Sequence, residues 1–500
     1  MTASRVDYDD TQGLVRFGFG PLTEARYALV RVRNAAAARE WLRSARITDA
    51  VELDQVPATA LQVAFTAPGL EALGIPAAVI AGFSHEFVSG MTEPSRSRRL
   101  GDVGIDAPSQ WLWGTSAKAP HLVVMFFAKP GQLDGFMKSI TLSGWTEAFD
   151  EILPPLDTGD LDQREPFGFR DGISQPQIDW DQTYDARAAC IDYGNVAALG
   201  EFLLGYRNEY GKYTDRPLIP RDASSEGLPA AEDAPDMKDV ARDGTYLVMR
   251  QLRQDVRAFW QYMVGQAGGD FAQAELIAAA MVGRTPDGDP MVPIKGRAIA
   301  GIAGTPDLIA KNGFDFADDP MGVGCPFGAH IRRSNPRNAD YVGRPMGLAR
   351  LVAMAGFGRN GLRDDLTSSV RFHRILRRGR EYGDELSPTE ALTPAPPDEK
   401  ERGLHFICLN ANISRQFEFL QNAWTMNSKF SALSDENDPL VGNRDAIVGR
   451  PREGRFTMPN DVRVRRRLSA IPQFVTMRGG AYFFLPGIRA LKYFAQAGKT

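Results

Sequence analysis

Cysteine is scarce in this 500-residue chain: Cys190, Cys325 and Cys408 are the only three, none in a CxxC pair. Neither a disulfide framework nor a zinc ribbon is supported, and a reducing compartment fits. The five histidines, His85, His121, His330, His373 and His405, include no HxxxH or HExxH pair, which argues against a histidine-rich metal site. Positive charge is not in excess; the net charge of −4 argues against a nucleic-acid surface as the main partner. No run approaches about 18 uninterrupted apolar residues, so no membrane span is expected. The opening MTASRVDYDD lacks a basic region followed by an apolar run and lacks twin arginines, and the expectation is a cytoplasmic protein. What remains is the composition of an ordinary soluble enzyme, 43% hydrophobic and 24% charged, long enough for two large domains or several smaller ones.

Hydrophobic periodicity gives a repeated order of elements. Residues 24–33 read as a strand and 35–45 as an alanine-rich helix with Asn34 as its N-cap. Leu61, Val63 and Phe65 alternate on one strand face, and 68–73 reads as a short helix. Residues 121–127 form an apolar strand; Leu133, Phe136, Met137 and Ile140 share a helical face, and a strand is expected at 145–153. In the second half, 245–250 reads as a strand, and Leu252, Val256, Phe259, Trp260 and Met263 form a helical stripe. Leu404, Phe406 and Cys408 share a strand face, Asn412 can cap a helix whose stripe is Ile413, Phe417, Leu420 and Trp424, and 474–485 and 488–494 read as a last strand and helix. This is an α+β plan of two ferredoxin-like domains, antiparallel sheets with helices packed on them, divided as 1–165, a connecting segment 166–243 and 244–500. Residues 181–243 are rich in Asp, Arg, Gly and Pro and read as an insertion or connector; 384–402, with four prolines, reads as an exposed loop. Four arginines within 463–467 read as a solvated or salt-bridged strand face.

The stretch that carries chemistry is 165–176, EPFGFRDGISQP, with Asp171 held in a GxxDG turn. Gly168 and Gly172 allow positive φ and a close approach of backbone to another body. Read alone, Arg170-Asp171-Gly172 is a surface turn, but Phe167, Phe169 and Ile173 are apolar enough to bury it. Two later stretches complete a set: 324–337, GCPFGAHIRRSNPR, and 371–383, RFHRILRRGREYG.

Together these three segments resemble the dye-decolorising peroxidase family in its longer form. The resemblance implies haem b (iron protoporphyrin IX) held chiefly in the second domain, with His330 as axial iron ligand and Asp171 and Arg377 on the opposite, distal face. It further implies an acid behind the axial histidine, for which Asp438 in Glu436-Asn437-Asp438-Pro439 is the candidate; the same residues would also serve as a plain turn. A carboxylate there raises electron donation from the imidazole. Leu404 and Phe406 would lie in the haem pocket, Gly172 would approach the cofactor, and Arg332 and Arg337 are the two candidates for a propionate. His405, between Leu404 and Phe406, should point away from the face they share, and His373 is placed near the haem edge. The implied reaction reduces hydrogen peroxide to water through a ferryl intermediate and oxidises bulky dyes, phenolics or similar donors. Asp171 would shuttle the proton and Arg377 would stabilise charge on the leaving oxygen. An Asp base titrates near about 3.9, against about 6.5 for His, so an acid optimum is expected. Two alternatives stay open: a haem-handling protein without turnover, and a ferredoxin-like interaction module without haem. Oligomeric state is not legible.

Overall fold

The computed structural model describes residues 5–183, 195–294, 306–316, 318–337, 369–397, 399–444, 453–462 and 464–497. Cys190 and Arg463 lie outside them.

In the first half, β1 (Glu24–Val32), α1 (Ala35–Ser44), β2 (Thr59–Phe65), β3 (Leu122–Ala128), α2 (Leu133–Thr141) and β4 (Phe149–Glu151) follow one another, and the strands pair in the order β4-β1-β3-β2. The second half repeats this with β5 (Thr245–Gln254), α3 (Val256–Gln266), α4 (Phe271–Val282), the short α5 (His330–Ser334), β6 (Leu376–Arg377), β7 (Arg380–Tyr382), β8 (Gly403–Asn410) and β9 (Val475–Leu485), ending in α6 (Ile488–Gln496). There β8 carries β6 and β7 on one side and β5 on the other, and β9 lies beyond β5. The two sheets meet edge to edge through the Phe484 and Phe65 pair of β9 and β2 and, with the two-residue strand Leu156–Asp157 also paired to β1, give one ten-stranded antiparallel sheet with helices packed on it.

Strand alternation sorts the core into two layers. Ala28, Val30, Leu61, Val63, Phe65, Val124, Phe126, Tyr246, Val248, Cys408, Tyr482 and Phe484 face the layer that holds Trp41 and Leu42 of α1 and Leu491 and Phe494 of α6. Their neighbours, among them Tyr27, Leu29, Met125, Phe127, Leu247, Ile407 and Phe483, face the other side. There they are covered by Leu199, Phe202, Leu203 and Tyr206, all buried. The 181–243 connector is thus, in this part, a lid on the sheet's far face, which explains why both faces of the strands are apolar.

Helix ends follow their caps. Asn34 accepts from Ala36 N and Ala37 N, and Asp255 accepts from Ala258 N, so α3 starts at Val256 and Leu252 belongs to β5 rather than to the helical stripe. Asn412 Oδ1 accepts from Arg415 N at 2.8 Å, but the following turns, Ser414–Glu418 and Leu420–Thr425, are π-helical. The strand expected at 145–153 shrinks to Phe149–Glu151, because Gly144 (φ +71°) sets Trp145–Ala148 into a helical turn that packs Trp145 on Trp41. Ala391 is buried within the otherwise mostly exposed 384–402 loop. Arg466 donates to Gln266 O at 2.5 Å and Arg467 lies 3.7 Å from Glu436. Among the described residues no helix is long and apolar enough to cross a membrane.

Gly403 opens β8 where a Cβ would lie 1.9 Å from the Leu252 carbonyl and 2.9 Å from the Tyr382 ring. Gly403→Ala should therefore lower stability by about 1–3 kcal/mol, the usual penalty of overpacking. Urea unfolding followed by tryptophan fluorescence measures it, and an unchanged midpoint would show that β8 shifts at no cost.

Candidate functional site

The helix-side face of the second half is not filled by side chains. Arg250, Leu252 and Gln254 of β5, Leu404 and Phe406 of β8, and Val475 and Met477 of β9 form one wall of a cavity there. Two groups of residues converge on it.

The first is carried by a hairpin. Asp171 N donates to Gln163 O at 2.9 Å and Glu165 N to Phe169 O at 2.9 Å, with the chain reversing through Gly168 at φ +98°. Phe167 and Phe169 bury the turn against Phe259 of α3. Asp171 is thereby presented to the cavity, where its Oδ1 accepts from Arg377 Nη1 at 2.6 Å. Arg377 is fixed in turn: Gln175 Oε1 accepts its backbone N–H at 3.0 Å, and Gln175 Nε2 donates back to its carbonyl at 3.2 Å. Burial pushes the Asp171 carboxyl up, but the Arg377 charge and hydrogen bond, with the Gly172 amide, outweigh it and hold the group below the ordinary aspartate value. The 37% of the Asp171 side chain that is accessible faces the cavity.

The second group is His330 and Asp438. His330 is the first residue of α5, and its Nδ1 lies 2.9 Å from Asp438 Oδ2. Asp438 is fully buried and its Oδ1 also accepts from Leu440 N and Val441 N, so the carboxylate is fixed on both oxygens. Burial disfavours charge on each partner; their mutual attraction outweighs it, lowering the acid and raising the imidazole. Nδ1 is thus the N–H end of the ring. The other ring nitrogen, Nε2, has no hydrogen-bond partner among the described residues, and His330 lines the cavity.

No family model matches the chain. The sequence is 29% identical to Peroxidase 2 of Mycetinis scorodonius over 507 residues, covering 97% of this chain and 86% of that protein. The fold superimposes on a decolorizing peroxidase from Auricularia auricula-judae with a TM-score of 0.70 at 26% identity, covering 98% and 100% of the two chains. It superimposes equally, at 0.70 and 25% identity over 98% and 100%, on a dye-decolorizing peroxidase whose heme pocket was engineered for asymmetric sulfoxidation. The chain belongs to the dye-decolorising peroxidase family. It is an oxidoreductase that acts on a peroxide as acceptor.

In this peroxidase the remaining sequence candidates divide. Leu404 and Phe406 both line the cavity, whereas His405 points to the far face, donating from Nε2 to Asp157 O at 3.0 Å and stacking on Tyr382. His373 lines the cavity with its ring stacked on Phe419. Arg337 reaches the cavity wall, donating to Asn312 Oδ1 at 2.7 Å and to the carbonyls of Asn312 and Phe314. Arg332 does not: it is buried behind α5, donating to Asp319 Oδ2 at 2.7 Å and to the Cys325 carbonyl at 2.5 Å. The physical reason is the helical period, which turns it about 200° from His330. Gly172 (φ +77°) is also not on the wall, and no atom stands within 4 Å of where its Cβ would be. Its left-handed φ suits the turn, and its amide hydrogen-bonds to Asp171.

Sequence reading missed Arg284, which follows α4. It is buried at the cavity wall, donating to Gly288 O at 2.6 Å, Lys311 O at 3.0 Å and Ser174 Oγ at 2.9 Å, with no carboxylate partner among the described residues. Burial, Arg337 and Arg377 together push it down to about 9. Beside it Asn312 Nδ2 is buried without an acceptor. No motif marks Arg284 in the sequence; only its packing against Ser174 reveals it.

Proposed function

We propose that this chain is a haem b peroxidase that reduces hydrogen peroxide to water and draws electrons from dyes, phenolics or similar aromatic donors. The observation that carries the reading is the convergence, on one cavity, of an imidazole backed by a buried carboxylate and a separate aspartate–arginine pair. The residues fit the group. The His330 ring nitrogen that has no partner among the described residues would suit iron, and the buried Arg284 guanidinium, which among the described residues meets only neutral oxygens, suits a cofactor carboxylate. His330 would hold the iron, Leu404 and Phe406 would lie against the ring, and Arg337 and Arg284 would hold a propionate, the unit 244–500 carrying most of these contacts. Bound there, haem would supply the iron on which the peroxide bond is cleaved and oxidising equivalents are stored.

The chain's own residues do the rest. Asp171 takes the proton from one peroxide oxygen and returns it to the other, which leaves as water. Arg377, always cationic, stabilises the negative charge that builds on that leaving oxygen. Asp438 fixes the His330 tautomer and increases its donor strength. A cytoplasmic setting agrees with the unpaired, buried thiols of Cys325 and Cys408.

The test is the visible spectrum of the haem-loaded protein before and within a second after one equivalent of hydrogen peroxide. A prompt change that a dye then reverses is expected. Haem that does not respond would leave a haem-handling protein, and failure to bind haem would remove His330 from its role. A second expectation concerns Asp438→Asn, which leaves Nδ1–H facing a neutral acceptor. The iron reduction potential should rise, as measured by spectroelectrochemistry; an unchanged or lower potential would mean that Asp438 does not tune the ligand.

A further inference from the structure

Glu165 opens the hairpin that carries Asp171, lines the same cavity and takes no part in the steps above. Its carboxyl group fills the inside of the turn. Oε1 accepts from Phe169 N at 3.0 Å, and Oε2 accepts from Phe167 N at 3.1 Å and meets the Gln254 side-chain amide at 2.6 Å. All three partners are neutral, and among the described residues no cation pairs with it. Gln254 Oε1, meanwhile, is buried without a donor. Turning the Gln254 amide over gives its oxygen a hydroxyl donor on Glu165 and leaves both backbone bonds to Glu165 in place.

The charged surroundings agree. Asp171, on the same hairpin, acts on Glu165 as a like charge. Arg164 is spent on Gly168 O, Pro286 O and Asp287, and Arg170 acts on Asp287 as well. On β5, which supplies Gln254, Arg253 pairs loosely with Asp255 and Glu401. Burial is the largest influence and raises Glu165 to about 7, the hydrogen bonds from Gln254 and the two amides opposing it and Asp171 adding to it.

We propose that Glu165 is a positioning residue of the distal site that works as the neutral acid, and that its ionisation sets the alkaline limit of the peroxide step. The inference rests on the reading of Asp171 and Arg377 given above. Ionised, Glu165 adds a second negative charge beside Asp171, which opposes the stabilisation that Arg377 gives the leaving oxygen and tightens the hold of the turn on the Phe167 and Phe169 amides. Neutral, it closes the turn without that charge.

The experiment combines two readouts on the haem-loaded, full-length protein. The rate constant for reaction with hydrogen peroxide is measured at about pH 8 and about pH 5 in the wild type and in Glu165→Gln. At pH 8 a group titrating near 7 is about one-tenth neutral, so the pH 8 to pH 5 ratio should be about tenfold higher in the variant. An equal ratio in both proteins overturns the proposal. Infrared titration of wild type grown on isotope-labelled glutamate should show a protonated carboxyl band that disappears through about pH 7 and shifts with the label. Absence of such a glutamate band overturns the proposal even if Glu165→Gln does not fold. Asp171→Asn serves as the control: undiminished peroxide reactivity there would remove the underlying reading, a failure the infrared band separates from one at Glu165.

Discussion

Asp171→Asn should slow the reaction of the haem-loaded protein with hydrogen peroxide by about a thousandfold, within the 10²–10⁴ that a positioned proton carrier contributes. The amide is isosteric and can still accept from Arg377, so the hairpin and the cavity keep their shape, but it cannot take a proton. Stopped-flow absorbance at increasing peroxide gives the rate constant directly, and a loss below about tenfold would mean that the proton travels by another route. The pH dependence follows from the same group. Asp171 is held below its ordinary value, so as a base it remains available across the acid range and is lost only as pH falls through that depressed value. Dye turnover should therefore peak in acid, and an optimum that stays above neutrality in every buffer and with every donor would exclude Asp171 as the working base. Linkage has the same sign: the contribution of the Asp171–Arg377 pair to stability is present above the unfolded aspartate value and fades as pH falls through the lower folded one.

Arg377→Leu is expected to cost about 10²–10³ in the same rate constant, the range for removing one donor aimed at developing negative charge. It has a second consequence that a purely electrostatic role elsewhere in the cavity would not have. Without the 2.6 Å partner, burial is opposed only by the Gly172 amide and His330, the affinity of Asp171 for protons should rise, and the acid limb of the peroxide reaction should move to higher pH. Arg377→Lys should fall between, because an ammonium restores the charge but not the planar donor geometry. On the proposed reading, in which the two residues serve one proton transfer, the further loss in the double variant with Asp171→Asn should be small. Full additivity of the two losses, or an unmoved acid limb in Arg377→Leu, would show that the pair does not work as a unit.

Most of the candidate site residues lie in short motifs, and it is the resemblance of those motifs to the family that singled them out. The resemblance singles out Asp171 in its GxxDG turn, and the structure brings that residue to the cavity on a hairpin in which Gly168 and Gly172 stand at φ +98° and +77°. Strand alternation places Leu404 and Phe406 on one face and His405 on the other, since the period of two admits no other arrangement. The helical period from His330 would even have turned Arg332 away from the cavity, had α5 been recognised as a helix that begins at the histidine itself. Arg337 was not decidable in that manner, because it lies beyond the helix in a left-handed backbone conformation, φ +57°, which a non-glycine side chain adopts only when its surroundings hold it.

By itself, then, the sequence determined the strand-helix order of both halves, the two faces of each strand and the caps Asn34 and Asn412, all of which depend on periods and spacings within a few residues. Asp171, His330, Arg377 and Asp438 were candidates through the resemblance of their motifs to the family. Only the tertiary structure decided that the two sheets join through Phe484 and Phe65, that the 199–206 segment covers the far face, and that Arg284 rather than Arg332 reaches the cavity. It also decided that Glu165 meets Gln254 across 89 residues of chain. Such contacts arise from how separately formed elements pack, and the free energy that selects them is shared among many distant side chains, so no local pattern carries it.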